Sequence, residues 1–417
     1  ALGGVRGRGG GAGAAAATAH DSMGLGQGSS GNLASASMTL TAANGYQAPT
    51  EQQRRLLDAE MENLPAETKS VLKEIAIDPR EMELGEVIGT GAFAEVRACR
   101  YRGSTVAVKA LHELSQESIR RFRYEVLLMK DLRHPNIILL IGASWVGNKL
   151  MMVVEYMECG SMADALTPNR PEPLNWKDHK LGMVCDVARG MTYLHHARYF
   201  NEAANAYETC IIHRDLKPQN LLVTRSYGIK ITDFGEARSK NQNATMTAVG
   251  TLLYIAPEVV RGDRYDEKCD VYSFAIVMLA ALQLKPNIVD VFAETIKQEH
   301  LASGGEAKPA TYTPMYITTR IVNEHLRPIL PDRQIFPSLK ILIEQAWSPA
   351  PALRPTFDEI LEYLETIVKD EVMENKLLDD TPPGTAAAGG GAVAPCCCCC
   401  SSRGRRSGPS SSSRRPV

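Results

Sequence analysis

Eight consecutive residues, His213-Arg214-Asp215-Leu216-Lys217-Pro218-Gln219-Asn220, place a carboxylate, a cation and a carboxamide within six positions, just before the apolar run Leu221-Leu222-Val223. That set suits phosphoryl transfer, which needs an oriented hydroxyl, compensated phosphate charge and an ordered metal more than covalent help from the protein. Asp215 can accept or orient the acceptor hydroxyl. Lys217 can neutralise charge developing on the phosphoryl group, and Asn220 can offer an amide oxygen to a hard divalent cation. Thirteen residues beyond Asn220, Thr232-Asp233-Phe234-Gly235 closes a second strand-like run, Ile229-Lys230-Ile231. Asp233 is the principal metal-ligand candidate there, and Gly235 is expected to permit the turn that follows.

A phosphate-handling counterpart lies upstream. The stretch Val87-Ile88-Gly89-Thr90-Gly91-Ala92-Phe93-Ala94-Glu95-Val96 sets small residues between two apolar runs, where backbone N–H groups can approach a triphosphate. It lacks the G-K-[ST] of a Walker A loop, and taken alone it could equally be a plain hairpin turn. The next run, Thr105-Val106-Ala107-Val108-Lys109, ends on a lysine able to grip phosphate oxygens, and a charged amphipathic segment from Glu117 to Lys130 follows it. Glu125, on the apolar side of that segment, is available as the counter-charge that would hold Lys109 in place.

The chain that must carry these groups has 417 residues, 44% of them hydrophobic, enough for a sizeable core. A formal charge of -2 gives no global field that would draw it to nucleic acid or anionic lipid. The longest apolar stretch, Val271 to Leu284, is interrupted by Tyr272, Ser273 and Gln283 and reads as a buried helix rather than a membrane span. Cys99, Cys159, Cys185, Cys210 and Cys269 are scattered singletons, which argues against a zinc module or disulfide framework and fits a reducing, cytoplasmic setting.

Composition also sets the boundaries. Residues 1–70 read as a Gly/Ala/Ser-rich tail and linker, within which Glu51 to Leu64 could be helical but is most simply solvated. Residues 83–368 have globular composition, strand-like at first and helical after about Leu174, so two unequal lobes are expected. Residues 379–417 return to low complexity, with five cysteines, Cys396–Cys400, followed by Arg403, Arg405 and Arg406. Acylation of that run would give peripheral membrane association; an unstructured tail is the simpler alternative.

With these motifs in this order, the chain resembles the eukaryotic protein kinase family over roughly residues 83–368. Pro79 to Gly85, His134-Pro135-Asn136-Ile137, Tyr272-Ser273-Phe274, Trp347 and Arg354-Pro355-Thr356-Phe357 are similar to the tyrosine-kinase-like group, which includes Raf-type and mixed-lineage kinases. The resemblance implies an α+β, two-lobed kinase fold: a small, mainly antiparallel β lobe with one helix (83–154), a hinge (155–157) and a large, mainly helical lobe (158–368). It implies a serine/threonine kinase using ATP with Mg2+, or Mn2+ as an alternative cation, on protein substrates, and Lys217 is the mark of that acceptor preference. A pseudokinase scaffold is the competing reading from another class, and tyrosine or dual specificity a third. The set Lys109, Glu125, Asp215, Asn220 and Asp233 speaks against a scaffold.

By the same resemblance, Val154 backs the adenine pocket, Glu155, Tyr156 and Met157 form the hinge, and Val96, Ala107 and Leu222 sandwich the ring. Met129, Leu140, His213 and Phe234 would stack between the lobes, Glu258 and Arg354 would pair, and Asp270 would brace the catalytic loop. Thr251 would contact Asp215 and Lys217 as part of substrate docking. Arg214 would clamp a phosphate on the activation segment, at Thr245 or Thr247, with Ser239 a weaker candidate. Two departures stand out: Ala94 replaces the third glycine of the loop, with altered ATP affinity the most to be expected, and residues 197–210 lengthen a usually short connection, most simply as an exposed loop.

Overall fold

The computed structural model describes residues 50–91, 94–145, 150–167, 174–201, 206–239, 252–285, 287–304, 312–330 and 335–374. Ala92, Phe93, Thr245, Thr247, Thr251 and the Cys396–Cys400 run, all singled out above, lie outside these residues.

The first helix, α1 (Glu51–Glu62), is fixed by reciprocal capping. The Gln53 amide donates to the Thr50 hydroxyl at 3.2 Å, and the Thr50 amide donates to the Gln53 side-chain oxygen at 3.0 Å. Two amides that a helix start would otherwise leave unsatisfied are thereby paired. A second helix, α2 (Ala66–Glu74), follows, and Leu57 and Leu72 from the two helices are buried in the main core. The segment beyond α2 then lies along the edge of a sheet, the Ile77 amide donating to Ala143 O at 2.8 Å and the Ala143 amide to Ile75 O at 2.9 Å. Of the two readings of Glu51 to Leu64, helical or solvated linker, the helical one describes the structure. The segment's apolar residues are too few for a core of their own but sufficient to seat two helices on a neighbouring one.

The sheet that receives this segment has five antiparallel strands in the order β1-β2-β3-β5-β4. They are β1 (Met82–Thr90), β2 (Ala94–Tyr101), β3 (Ser104–Leu111), β4 (Leu140–Ser144) and β5 (Met151–Glu155). Valine and alanine alternate through β3, and Val106, Ala107, Val108 and Ala110 are all buried. One helix, α3 (Gln116–Met129), lies between β3 and β4 and is capped by Ser115. Its Ile119, Phe122, Val126 and Met129 enter the core.

Helices dominate after β5. A short α4 (Met162–Ala165) precedes a wide π turn, Trp176–Lys180, that runs directly into α5 (Leu181–His196). After the hairpin described below come short elements: β8 (Ile211–Ile212), β9 (Leu221–Val223), β10 (Ile229–Ile231) and β11 (Arg238–Ser239). Then come α6 (Pro257–Arg261), α7 (Lys268–Gln283), α8 (Val289–Ala302), α9 (Pro314–Glu324) and α10 (Pro337–Ala346). Helix α11 (Phe357–Tyr363) continues through a π segment, Leu364–Val368, into α12 (Lys369–Glu374). Every residue of α7 from Cys269 to Ala281 is buried, which explains why its sequence is apolar all round. Among the described residues no helix is long and apolar enough to cross a membrane.

The expected exposed loop over 197–210 is instead a β-hairpin of β6 (Arg198–Asn201) and β7 (Ala206–Thr209), closed at its base by the Cys210 amide donating to Ala197 O at 3.1 Å. The physical reason is alternation: Tyr199 points inward, 3% exposed, while Phe200 and Tyr207 meet edge to face on the outer side, 5.4 Å apart.

Deep in the helical region, Arg354 forks onto Glu258, with Nη1 to Oε1 at 2.5 Å and Nη2 to Oε2 at 2.9 Å. Its remaining donors reach Ser348 O and Lys268 O, both at 2.9 Å, so the buried pair is satisfied on the arginine side. Removing one partner strands a buried charge, and Arg354→Ala is expected to cost about 3–5 kcal/mol in chemical denaturation. A loss below about 1 kcal/mol would show that the pair does not hold the segment after α6 in place.

Candidate active site

Lys109, on β3, is the residue at which three elements converge. Its Nζ donates to Glu125 Oε1 at 2.9 Å and Oε2 at 3.3 Å from α3, and to Asp233 Oδ1 at 2.8 Å from the turn after β10. Burial works against the ammonium, but the two carboxylates outweigh it and hold its pKa above the ordinary lysine value. Lys109 in turn pulls the Asp233 carboxyl down to about 2, against a smaller opposing effect of burial. Glu125, 6% exposed, is pushed upward by burial, with Lys109 opposing the shift. Its environment tolerates charge only because the lysine is there.

The depth of Asp233 is set by the loop between α3 and β4. Asn136 Nδ2 donates to Ile229 O at 2.9 Å, the Ile231 amide donates to Asn136 O at 2.8 Å, and the Ile138 amide to Ile231 O at 2.9 Å. These bonds fasten β10 to the sheet-bearing half of the molecule two residues before Asp233. Asp233 itself sits at φ +66°, whereas Gly235 is not in the left-handed region. The turn expected to need the glycine is therefore carried by the aspartate, a strained position for a residue with a Cβ. Phe234 is fully buried, packed edge to face on His213 at 5.3 Å, with Met129 and Leu140 buried in the same cluster.

The catalytic loop hangs from Asp270 in α7. Asp270 Oδ2 accepts the His213 amide at 2.8 Å and meets His195 Nε2 at 3.0 Å, while Oδ1 accepts the Arg214 amide at 2.8 Å. Arg214 has φ +68°, a strained backbone that these bonds hold in place. Asp270 is completely buried; burial raises its pKa, but His195 and its other partners more than compensate and hold it below the ordinary aspartate value.

Held this way, Asp215 is 8% exposed and only partly satisfied. Oδ2 accepts from Lys217 Nζ at 2.7 Å and from Asn220 Nδ2 at 2.8 Å, and Asn220 Nδ2 also reaches Asp215 O at 2.8 Å. Asp215 Oδ1 is buried and has no hydrogen-bond partner among the described residues. A buried, unpaired carboxylate oxygen is costly and is expected where a ligand supplies the missing donor. Because the Asn220 amide nitrogen is committed to Asp215, its carbonyl oxygen is the atom left for a cation. With the Asp233 carboxylate, the protein donor set is two hard oxygens.

β5 runs through Glu155, which is still paired with Val106, so only Tyr156 and Met157 of the three expected hinge residues lie beyond the strand. The Glu155 carboxylate is also engaged, accepting the Leu139 amide at 2.8 Å and Lys230 Nζ at 2.8 Å. Ala107 pairs with Val154, and Val96 with Lys109, which puts Val96, Ala107 and Val154 on neighbouring strands, while Leu222 bridges to Ser161 from β9. Arg214 Nη1 donates to Glu236 O at 3.3 Å, and its guanidinium lies 5.6 Å from the Tyr265 ring. Ser239 pairs through its backbone with Ile211.

Gly89 and Thr90 end β1, and the amide of Gly91, just beyond it, donates to Ala94 O at 2.8 Å. A Cβ on Gly89 would come no closer than 3.8 Å to Val96, and one on Gly91 no closer than 3.6 Å to Ala94 O, both ordinary contacts, and neither residue has positive φ. The protein itself does not require glycine at these positions; a ligand approaching the backbone would. Ala94, by contrast, is a buried β2 residue paired with Leu111 without positive φ, so its methyl takes up core space rather than loop space. Two partners were not legible in the motifs: His195, four residues before the hairpin's first paired tyrosine, and Lys230, each recognisable only once its carboxylate partner is placed.

Gly89→Ala should leave Tm within about 2 °C while weakening nucleotide binding by about tenfold, and Ala94→Gly should leave nucleotide affinity within about twofold while lowering stability by about 1 kcal/mol. Calorimetric titration with ATP alongside thermal unfolding checks both, and the opposite pattern would return the phosphate contact to Ala94.

A protein-family model described as "Protein kinase domain" matches residues 82–364. Among curated proteins, the chain is 33% identical over 308 residues to "Probable serine/threonine-protein kinase drkB" of Dictyostelium discoideum, covering 73% of this chain and 39% of that protein. It is 32% identical over 300 residues to "Serine/threonine-protein kinase STY17" of Arabidopsis thaliana, covering 71% of this chain and 46% of that one. With "Probable serine/threonine-protein kinase SIS8", also of Arabidopsis thaliana, identity is 34% over 293 residues, 69% of this chain and 25% of the relative. The chain thus spans less than half the length of each of these relatives.

Proposed function

This chain belongs to the protein kinase family, and on that footing we propose that it transfers the γ-phosphoryl group of Mg2+-ATP to serine or threonine hydroxyls of protein substrates. The observation that carries the proposal is Lys109 held at 2.9 Å from Glu125 and 2.8 Å from Asp233, since a binding scaffold has no use for a half-buried cation shared by two carboxylates. Kinase domains act on ATP with a divalent metal. The two hard oxygens of Asp233 and Asn220 fit Mg2+, with phosphate and water completing a shell of about six oxygens. Bound there, the cation would offset charge on the phosphates.

The acceptor oxygen bonds to the γ-phosphorus as the bond to the bridging oxygen of ADP breaks, and the hydroxyl proton passes to Asp215. Oδ1, which has no hydrogen-bond partner among the described residues, is the atom suited to orient that hydroxyl. Lys217, bonded to Oδ2, would neutralise charge developing on the transferring group. Lys217 and the serine/threonine names of the relatives support the choice of acceptor. Phosphorylation at Thr245 or Thr247, read by Arg214, would control the activity. Thr251 would take part in substrate docking, and acylation at Cys396–Cys400 would add a membrane-associated form to a cytoplasmic enzyme.

Incubating wild type and Asp215→Asn with Mg2+-ATP and a generic protein substrate tests this. Wild type should yield phosphoserine and phosphothreonine, and the variant should lose at least about 100-fold in kcat. Equal incorporation by both proteins would overturn the assignment, and phosphotyrosine as the main product would overturn the acceptor class.

A further inference from the structure

The matched family region begins at residue 82, and the first of the two helices that precede it rests on α3, the helix that carries Glu125. Their polar contact centres on Glu60, near the end of α1. Gln116 Nε2 donates to Glu60 Oε1 at 2.7 Å, Arg120 approaches both carboxylate oxygens at 3.2 and 3.3 Å, and Arg123 Nη1 lies 3.6 Å from Oε2. The Glu60 side chain is only 11% exposed. The hydrogen bonds from Gln116 and Arg120 depress its pKa, so it is ionised at neutral pH. Gln116, Arg120 and Arg123 recur at helical spacing on one face, and at roughly 100° per residue that face lies about 180° round the helix from Glu125. Leu57 and Leu72 fill the same core cluster as Ile119, Phe122 and Val126 of α3. The backbone pairing of Ile75 and Ile77 with Ala143 anchors the other end of the unit to the sheet.

We propose that Glu60 is a positioning residue for phosphoryl transfer, one that grips the outer face of α3 and so holds Glu125 against Lys109 on the inner face. This rests on the kinase reading above and adds to it a clamp supplied by the chain's own N-terminal helices. α3 can move away only if the Glu60 contacts open or α1 travels with it, and α1 is tied through α2 to the sheet edge. The closed Lys109–Glu125 pair is thereby coupled to a segment outside the catalytic machinery.

The test compares wild type, Glu60→Gln, Glu60→Arg and Glu60→Arg/Arg120→Glu in the full chain, with kcat, KM for ATP, Tm and hydrogen exchange over residues 116–129. Glu60→Gln keeps an acceptor and should lose about threefold in kcat. Glu60→Arg sets three cations together and should lose about tenfold or more, with faster exchange in α3 and unchanged exchange in α7. Restoring opposite charge in the double variant should recover at least about threefold. A Glu60→Arg enzyme with wild-type kcat would overturn the proposal. So would an activity loss that tracks Tm and is not recovered by Arg120→Glu. An inactive wild type would count against the kinase reading instead, and the exchange data would still report whether Glu60 holds α3.

Discussion

A single ammonium group organises this molecule. Lys109 is bonded to Glu125 and Asp233, which stand 16 and 124 residues away in sequence, and Glu125 would not remain charged at its depth without it. The alternation of β3 must deliver the lysine on one face, α3 must present Glu125 from its inner side, and β10 must end where Asp233 can reach across. The Asn136 bonds to β10 and the insertion of Phe234 beneath His213 are the devices that bring the third element to the other two.

The same logic governs the catalytic loop. Asp270, buried among apolar neighbours, would be costly without partners, and its bonds to His213, Arg214 and His195 engage both of its oxygens. Those bonds hold two residues around Asp215 while Arg214 adopts a left-handed backbone. With its backbone fixed and one oxygen occupied by Lys217 and Asn220, Asp215 is left with a single oxygen to offer. Strain sits at Arg214 and Asp233, one on each side of the site, and the packed helices and sheet around them supply the stabilisation that offsets it.

What the sequence disclosed depended on how local the signal was. The spacing from Asp215 to Asn220 and the run ending on Lys109 are short-range patterns in which residue type and position together specify chemistry, and the geometry brings those residues together. The amphipathic helix over Glu117 to Lys130 and the buried helix from Val271 were legible for the same reason. Residues 51–74 were not, because their burial depends on a surface of α3 that no nearby residue announces. The reciprocal signal Thr50-Glu51-Gln52-Gln53 was the clue available for the first helix. The hairpin over 198–209 escaped notice because its alternation is only four residues per strand and is sustained by one inward tyrosine. At Gly235 and Ala94, motif resemblance led one way and backbone dihedrals another: strain belongs to Asp233, and Ala94 is a core residue of a strand.

If Lys109 is shared, removing one carboxylate must change its hold on the other. With Glu125→Gln, the lysine is left to Asp233 alone and competes with the cation that Asp233 is to bind. The most direct test is the dependence of phosphoryl-transfer rate on free Mg2+ at saturating ATP, for wild type beside Glu125→Gln. The account predicts that the variant needs about tenfold more Mg2+ for half-maximal rate, equivalent to ~1.4 kcal/mol of added competition. An unchanged Mg2+ requirement would contradict it.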